Sequence, residues 1–269
     1  MENIQKQYPI MPLRNTVLFP QQVIPIYVGR EKSLKLIEDL EPDNKYLVVV
    51  AQQDGSIEDP KQEDLYSYGT LALVLKVFDM PDNSKSAIVQ GVDRVKILKY
   101  KESDSYFLAD VERIPESITS PDVEIEALAK SLKSSFTELI KISPNLNEEH
   151  AGMLSNIDRP SRLADRATSL LSVSNSEKQE VLEELDIKKR VENAINLLQR
   201  EIQRIKLGEE IQTEVQDEIS KTQREYYLRE QMKTIQKELG EDNQTVELDE
   251  LKAKITDAKM TAEAEKIAN

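Results

Sequence analysis

No proline interrupts residues 186–239, a run of helix-forming residues that stops at Gly240. Within it Val191, Ile195, Leu198, Ile202 and Ile205 recur in alternating steps of four and three. That is the seam of a helix packed lengthwise against another helix. Leu228, Met232, Ile235 and Leu239 repeat the spacing further on. An unbroken helix over this run would be about 80 Å long at about 1.5 Å per residue, more than a compact domain of this size can bury. It is expected to project and to connect parts of the molecule. Gly208 stands inside it; a glycine there costs about 1 kcal/mol relative to alanine, enough to permit a hinge.

The chain has 269 residues, enough for about two domains at roughly 150 residues each. Hydrophobic residues make up 39% and charged residues 32%, which fits a modest core with solvated helices. Asp and Glu outnumber Lys and Arg by 50 to 36, for a formal charge of -14. Such a surface repels phosphate backbones and anionic membranes, so nucleic acid and membrane are disfavoured as partners. There is no cysteine, which removes disulfides, thiol catalysis and thiolate metal sites. With His150 as its one histidine, the chain cannot build a multi-histidine zinc site. Residues 1–7 lack the pattern of a signal peptide and no apolar run approaches the roughly 20 residues of a membrane span. The expectation is a soluble, cytoplasmic protein.

Residues 8–114 read as strands. The segments 23–28, 46–51, 70–78, 87–90, 94–100 and 106–114 are short and rich in Val, Ile, Leu and Tyr. Between them stand turn residues, at 54–55, 81–83 and 102–104, so antiparallel hairpins in a small barrel or two-layer sheet are expected. One helix over 30–40 would place Leu34, Ile37 and Leu40 on a common face. Pro9, Pro12, Pro20 and Pro25 crowd the first strands. Since proline cannot donate to a ladder, an irregular first hairpin of edge or bulged strands should result.

After Pro115 the pattern becomes helical. Ser120 and Pro121 read as a cap and first-turn proline for a helix whose face holds Ile125, Leu128, Leu132, Phe136 and Leu139. Shorter helices are expected over 147–156, 160–171 and 176–185, the last with a capping box of Ser176 and Gln179. Beyond a polar loop at 241–245, Leu248, Leu251, Ile255 and Ala258 begin another helix. The final residues, 261–269, look helical yet carry no cap or glycine stop, so the chain is expected to be cut off rather than finished.

Two stretches carry a resemblance to a known family. The first is MPLRNTVLFP at 11–20, continuing through VIPIYVGREK at 23–32; the second, more specific, is QREYYLREQMKTIQKELGE at 223–241. With SRLAD at 161–165 and AKM at 258–260, the whole chain resembles the amino-terminal region of bacterial Lon-type ATP-dependent proteases. The resemblance implies an α+β fold: a PUA-like antiparallel β domain over 1–115, a helical bundle over 116–185, a long connecting helix over 186–240, and at 241–269 the start of a helical linker into an ATPase module. In the family an AAA+ ATPase, using ATP and Mg, and a protease domain with a Ser-Lys dyad follow these parts, and the intact protein is a hexamer. No stretch of this chain matches G-x-x-x-x-G-K-[ST], the phosphate-cradling loop, and the family's catalytic serine and lysine have no positions here onto which they carry. No catalytic, cofactor or metal residue is expected in this chain.

The candidate contacts for substrate or a neighbouring subunit are Phe19, Val23, Ile24, Tyr226, Tyr227 and Met232. At about 100° per residue, Tyr226 lies roughly 160° round the helix from Leu228, so the two cannot share a face. It either meets a subunit or an unfolded substrate, or is sandwiched between structural neighbours. Val17, Leu18, Phe19, Val23 and Ile24 lie among proline-kinked strands; whichever of them stay exposed would offer a patch for hydrophobic segments of misfolded chains. His150 beside Glu148 and Glu149, and the acid pairs 183–184, 209–210 and 249–250, read as solvated helix surface. The functional expectation is a non-catalytic recognition and assembly region of an ATP-dependent serine protease acting on misfolded and selected regulatory proteins. The alternative is a free-standing PUA-like binding or scaffold protein with no downstream enzyme.

Overall fold

The computed structural model describes residues 6–41, 44–101, 103, 105–116, 122–239, 248, 250–255 and 257. The chain divides into two compact units, 1–206 and 207–269.

The first unit begins with strands β1 (Lys6–Leu13) and β2 (Val23–Val28), helix α1 (Glu31–Glu38), and strands β3 (Tyr46–Ala51), β4 (Tyr68–Asp79), β5 (Lys85–Lys101) and β6 (Leu108–Ile114). Their order in the sheet is β2-β5-β4-β3-β1-β6, and a further β5–β6 pairing closes five of the strands into a barrel. Strand β5 is long enough to pair β2 through its first half and β6 through its second. Closure leaves few open edges for other strands to join.

Two expectations are corrected here. The sheet is antiparallel except for β1 and β3, which run parallel, Ile10 opposite Val48 and Leu13 opposite Ala51. Strand β2 and helix α1 lie between them in sequence and supply the crossover that a parallel pair needs. For the same reason β1 and β2 form no hairpin: β2 pairs β5, not β1. The prolines are accommodated by a change of partner. Residues 6–9 of β1 pair in register with β6 and residues 10–13 with β3, the Ile10 N–H still donating to the Phe107 carbonyl at 2.8 Å at the changeover, so Pro9 and Pro12 each sit in a half-strand paired in register on one side.

The expected strands 87–90 and 94–100 are one strand, β5, with a bulge where Gly91 faces Ala72 but Asp93 faces Leu71. A side chain at Gly91 would have its Cβ 2.3 Å from the Phe19 carbonyl oxygen; only glycine permits so close an approach of backbone to backbone. Strand β3 reads as a continuous apolar run because both its faces are buried. Val48 and Val50 join Tyr8, Ile10, Leu71, Val95 and Val111 in one core, while Leu47 and Val49 join Leu36 and Ile37 of α1 in another.

The helices are α2 (Val123–Ile142), α3 (Glu148–Ser155), α4 (Pro160–Leu170), α5 (Asn175–Glu183) and α6 (Ile187–Glu238). Each of the short ones has a start that physics favours. Asp122 accepts the Glu124 and Ile125 N–H groups at the head of α2; the cap expected at Ser120 and Pro121 lies outside the described residues. Pro160 opens α4, and Ser174 with Glu177 forms the capping box of α5, two residues before the Ser176 and Gln179 expected. Gln179 is instead buried and donates to the Tyr68 carbonyl at 3.0 Å.

A third core joins the helices to the barrel: Leu132, Phe136, Leu139, Leu163, Leu182, Val191 and Leu198 pack with Val17, Phe19 and Ala51. The seam residues Val191, Ile195, Leu198 and Ile202 of α6 all face this core. In the second unit, α6 continues from Leu207 to Glu238. Gly208 is helical, with open space where a Cβ would stand. Leu248 and Leu251 lie in a further helical stretch. The stop at Gly240, the loop at 241–245 and the end at 261–269 lie outside the described residues.

Candidate functional site

Strand β2 alternates its side chains between two faces. Ile24, Ile26 and Val28 turn toward α1 and its core. Val23, Pro25 and Tyr27 turn the other way and are exposed. The register carries that second set across the sheet: Val23 pairs with Gln90 and on to Leu73 and Tyr46, Pro25 with Ile88, and Tyr27 with Ser86 and on to Phe78. A solvent-facing antiparallel surface is ordinarily polar. This one is largely apolar, although Gln90, Lys76 and Ser86 share it, with Val23 50% and Tyr27 66% exposed and Phe78 and Met80 also open.

The aromatic end of the face is held in place. Tyr27 donates its hydroxyl to Asp82 Oδ2 at 2.9 Å, which ties β2 to the turn between β4 and β5. Asp82 also accepts from the Ser84 N–H at 3.1 Å, and its carboxyl is held below the usual range by the Ser84 hydroxyl first and Tyr27 second. Lys76 Nζ stands 4.7 Å from the centre of the Phe78 ring, close enough for a cation–π contact.

Phe19 is removed from the candidate contacts. It is fully buried, 0% exposed, and packs in the core between barrel and helices. Its N–H donates to Gln22 Oε1 at 3.1 Å, and Val17 and Leu18 beside it are buried too. The kinked segment before β2 folds its apolar residues inward. Ile24 is half-buried on the α1 side, leaving Val23 as the one of the three on the open face. Tyr27, Leu73, Phe78 and Met80 share that open side with Val23 and are not among the contacts expected from the sequence. Their signal was the alternation of 23, 25 and 27 and the apolar residues of 77–80 just before the turn, which continue past the barrel.

In the second unit Tyr226, 68% exposed, Tyr227 and Met232 are open to solvent, as are Leu228, Ile235 and Leu239. Gln231 Nε2 donates to the Tyr227 hydroxyl at 3.0 Å. Leu207, Ile211, Val215 and Ile219 form a further exposed row at steps of four, which winds round a helix instead of running along one seam. His150 is used locally: its N–H donates to Asn147 Oδ1 at 3.3 Å in the cap of α3, and the Asn147 N–H donates to its Nδ1. Among the described residues, no group of three or more His, Asp or Glu is placed to hold a metal. No described helix is long and apolar enough to cross a membrane.

With the barrel, its open apolar face and the helices placed, comparison with known proteins decides the family. A sequence model of the ATP-dependent protease La (LON) substrate-binding domain matches residues 7–200. The chain belongs to this LON domain family. The chain is 40% identical over 268 residues to the Lon protease of Dictyoglomus thermophilum, covering 99% of this chain and 34% of that one. It is 43% identical over 262 residues to the Lon protease of Koribacter versatilis, covering 97% and 32%. The chain therefore spans about a third of the length of the curated relatives it matches. In fold it is similar to the N-terminal domain of a Mycobacterium avium complex Lon protease (TM-score 0.59, 22% identity, 72% of this chain and 98% of that one). It is also similar to a Lon N-terminal domain protein from Xanthomonas campestris (TM-score 0.52, 19% identity, 71% and 98%). The LON family model ends before the stretch 223–241, whereas the alignment to the D. thermophilum relative covers 99% of the chain.

Proposed function

We propose that this chain is the non-catalytic substrate-recognition and assembly region of a longer ATP-dependent serine protease that degrades misfolded and selected regulatory proteins in the cytoplasm. The observation that carries the reading is the open apolar face of β2, β4 and β5. Apolar area left uncovered on a sheet, with aromatic residues held rigid at its end, suits weak capture of hydrophobic segments without sequence specificity. The family match to a substrate-binding domain and the threefold greater length of its relatives support it. ATP and Mg would act in parts of the intact protein outside these residues. The exposed rows of α6, with Tyr226, Tyr227 and Met232, suit contacts between copies in a hexameric assembly.

The test is capture of a permanently unfolded polypeptide by the 269-residue chain, followed by fluorescence anisotropy. Val23→Ser with Phe78→Ser, both at exposed positions, is expected to weaken capture about tenfold, since burying two such side chains contributes a few kcal/mol at most. Equal capture by a variant with an unchanged circular dichroism spectrum would overturn the role of the face.

A further inference from the structure

Across the edge strand β2 from that face, a cavity of about 370 Å³ opens at the head of α1, and Tyr27 is in its lining as well as on the face. Its walls are apolar, from Leu13, Ile26 and Val28, and its charged side chains are Arg14 and Arg30. Among the described residues no carboxylate lines it. In a chain of formal charge -14, a hollow of the opposite sign is a departure from the surrounding surface.

Three features of its chemistry are incomplete. First, among the described residues neither arginine is in an ion pair. Arg30 Nη2 donates to Gln52 Oε1 at 2.7 Å. Gln52 is itself buried and pinned, its Nε2 donating to the carbonyls of Asp54 and Ile57 at 3.2 and 2.9 Å. A neutral acceptor thus positions a guanidinium without neutralising it. Burial foremost, and then the charge of Arg14, lower the pKa of Arg30, while Asp59 and Glu58, which line an adjoining cavity, raise it. Asp59 is paired with Lys32 at 2.8 Å.

Second, α1 has no side-chain cap: Arg30 occupies the N-cap with extended backbone and makes no capping bond. The first helical bond is from the Leu34 N–H to the Arg30 carbonyl, so the N–H groups of the first turn point outward at the positive end of the helix. Third, Ser33 in that first turn is only 7% exposed and lines the cavity, and among the described residues its hydroxyl makes no hydrogen bond. The hydroxyl itself is not sealed off, so it is free to donate to whatever fills the cavity.

We propose that this cavity binds a carboxylate, held between the Arg14 and Arg30 guanidiniums with the Ser33 hydroxyl and the first turn of α1 donating, and that its occupant is the free C-terminus of a polypeptide. Two arginines and helix N–H groups recognise a small anion, and the apolar walls take an apolar final side chain. A chain ending there would pass Tyr27 onto the apolar face. The proposal rests on that face being a substrate surface and adds a terminus preference to it.

The experiment compares two labelled decapeptides of one apolar sequence ending in leucine, one with a free carboxylate and one amidated, binding to the 269-residue chain. The amide is expected to bind about tenfold more weakly, the size of one charge-assisted hydrogen bond. Arg14→Gln, at an exposed position, should erase that difference, and Arg30→Lys should reduce it. Val23→Ser should weaken both peptides alike and leave their ratio unchanged. Equal binding of acid and amide overturns the proposal, as does a ratio that survives Arg14→Gln. Inorganic phosphate displacing the free acid at a lower concentration than acetate, with the amide bound equally well, would make the cavity a site for a free anion and overturn it as well. Failure of both peptides with capture of unfolded polypeptide intact sinks the cavity alone; failure of both measurements sinks the face with it.

Discussion

Arg94 leaves strand β5 and enters the helices. Its Nε donates to the Leu182 carbonyl at 2.9 Å and its guanidinium pairs with Asp165, both side chains buried. Arg190 lies close by, donating to the Glu184 carbonyl at 2.7 Å; burial, and then the charge of Arg94, push its pKa down to about 10. Barrel and helices are thereby joined by charge as well as by apolar packing. Breaking one side of such a pair strands the other charge in a medium that cannot solvate it. Asp165→Ala is expected to destabilise the chain by about 3–5 kcal/mol, while Arg94→Met with Asp165→Leu should recover most of that. Urea denaturation monitored by circular dichroism checks both, and a single variant within about 1 kcal/mol of the parent would refute the account. None of this was legible in the sequence. Arg94 and Asp165 are 71 positions apart, and each is a residue type that usually stays in water.

At the scale of the element, periodicity and capping gave most of the helices and strands to within a residue or two. Strands β2 and β3 fall on the segments expected because both are compact runs of β-formers between turn residues. The α5 cap shows what local pattern leaves open: Ser174 with Glu177 and Ser176 with Gln179 are both capping boxes by spelling. Gln179 was needed elsewhere, as a buried donor to the sheet. Glu177 accepts from the Ser174 N–H and hydroxyl at 2.9 and 2.8 Å, and Arg200 pairs with it at 3.0 Å. The Ser174 hydroxyl first, and its N–H second, hold the Glu177 carboxyl below its usual range. A depressed carboxylate stabilises the folded state above its unfolded pKa near 4.5 and loses that contribution as pH falls through the folded value. Glu177→Gln should therefore be less stable than the parent at pH 7, with the gap narrowing as the pH is lowered below that range. A gap independent of pH, in melts taken at pH 7 and pH 3, would contradict this.

For the whole molecule, the division at residues 206 and 207 separates two uses of one sequence pattern. Every described buried core lies within the first unit: the barrel interior, the α1 side of the sheet, and the core that takes in α6 as far as Ile202 and Ile205. A chain ending at Lys206 should then unfold with the same midpoint as the full 269 residues. A loss of more than a few degrees, corresponding to about 1 kcal/mol for a chain of this size, would show that residues past 206 stabilise the first unit.

The sequence by itself determined the class of the protein, the positions of most of its strands and helices, the family resemblance, and the candidacy of Val23 and of the tyrosines on α6. These depend on side-chain period, backbone stereochemistry and residue order, which are local. Only the tertiary structure decided that Phe19 is core and Tyr27 is surface, that β1 runs parallel to β3, and that the 191–202 seam is covered while Leu228 and Met232 stay exposed. A strand's alternation says that two faces differ, but not which one the rest of the chain will cover. The partner that covers it comes from residues far along the sequence.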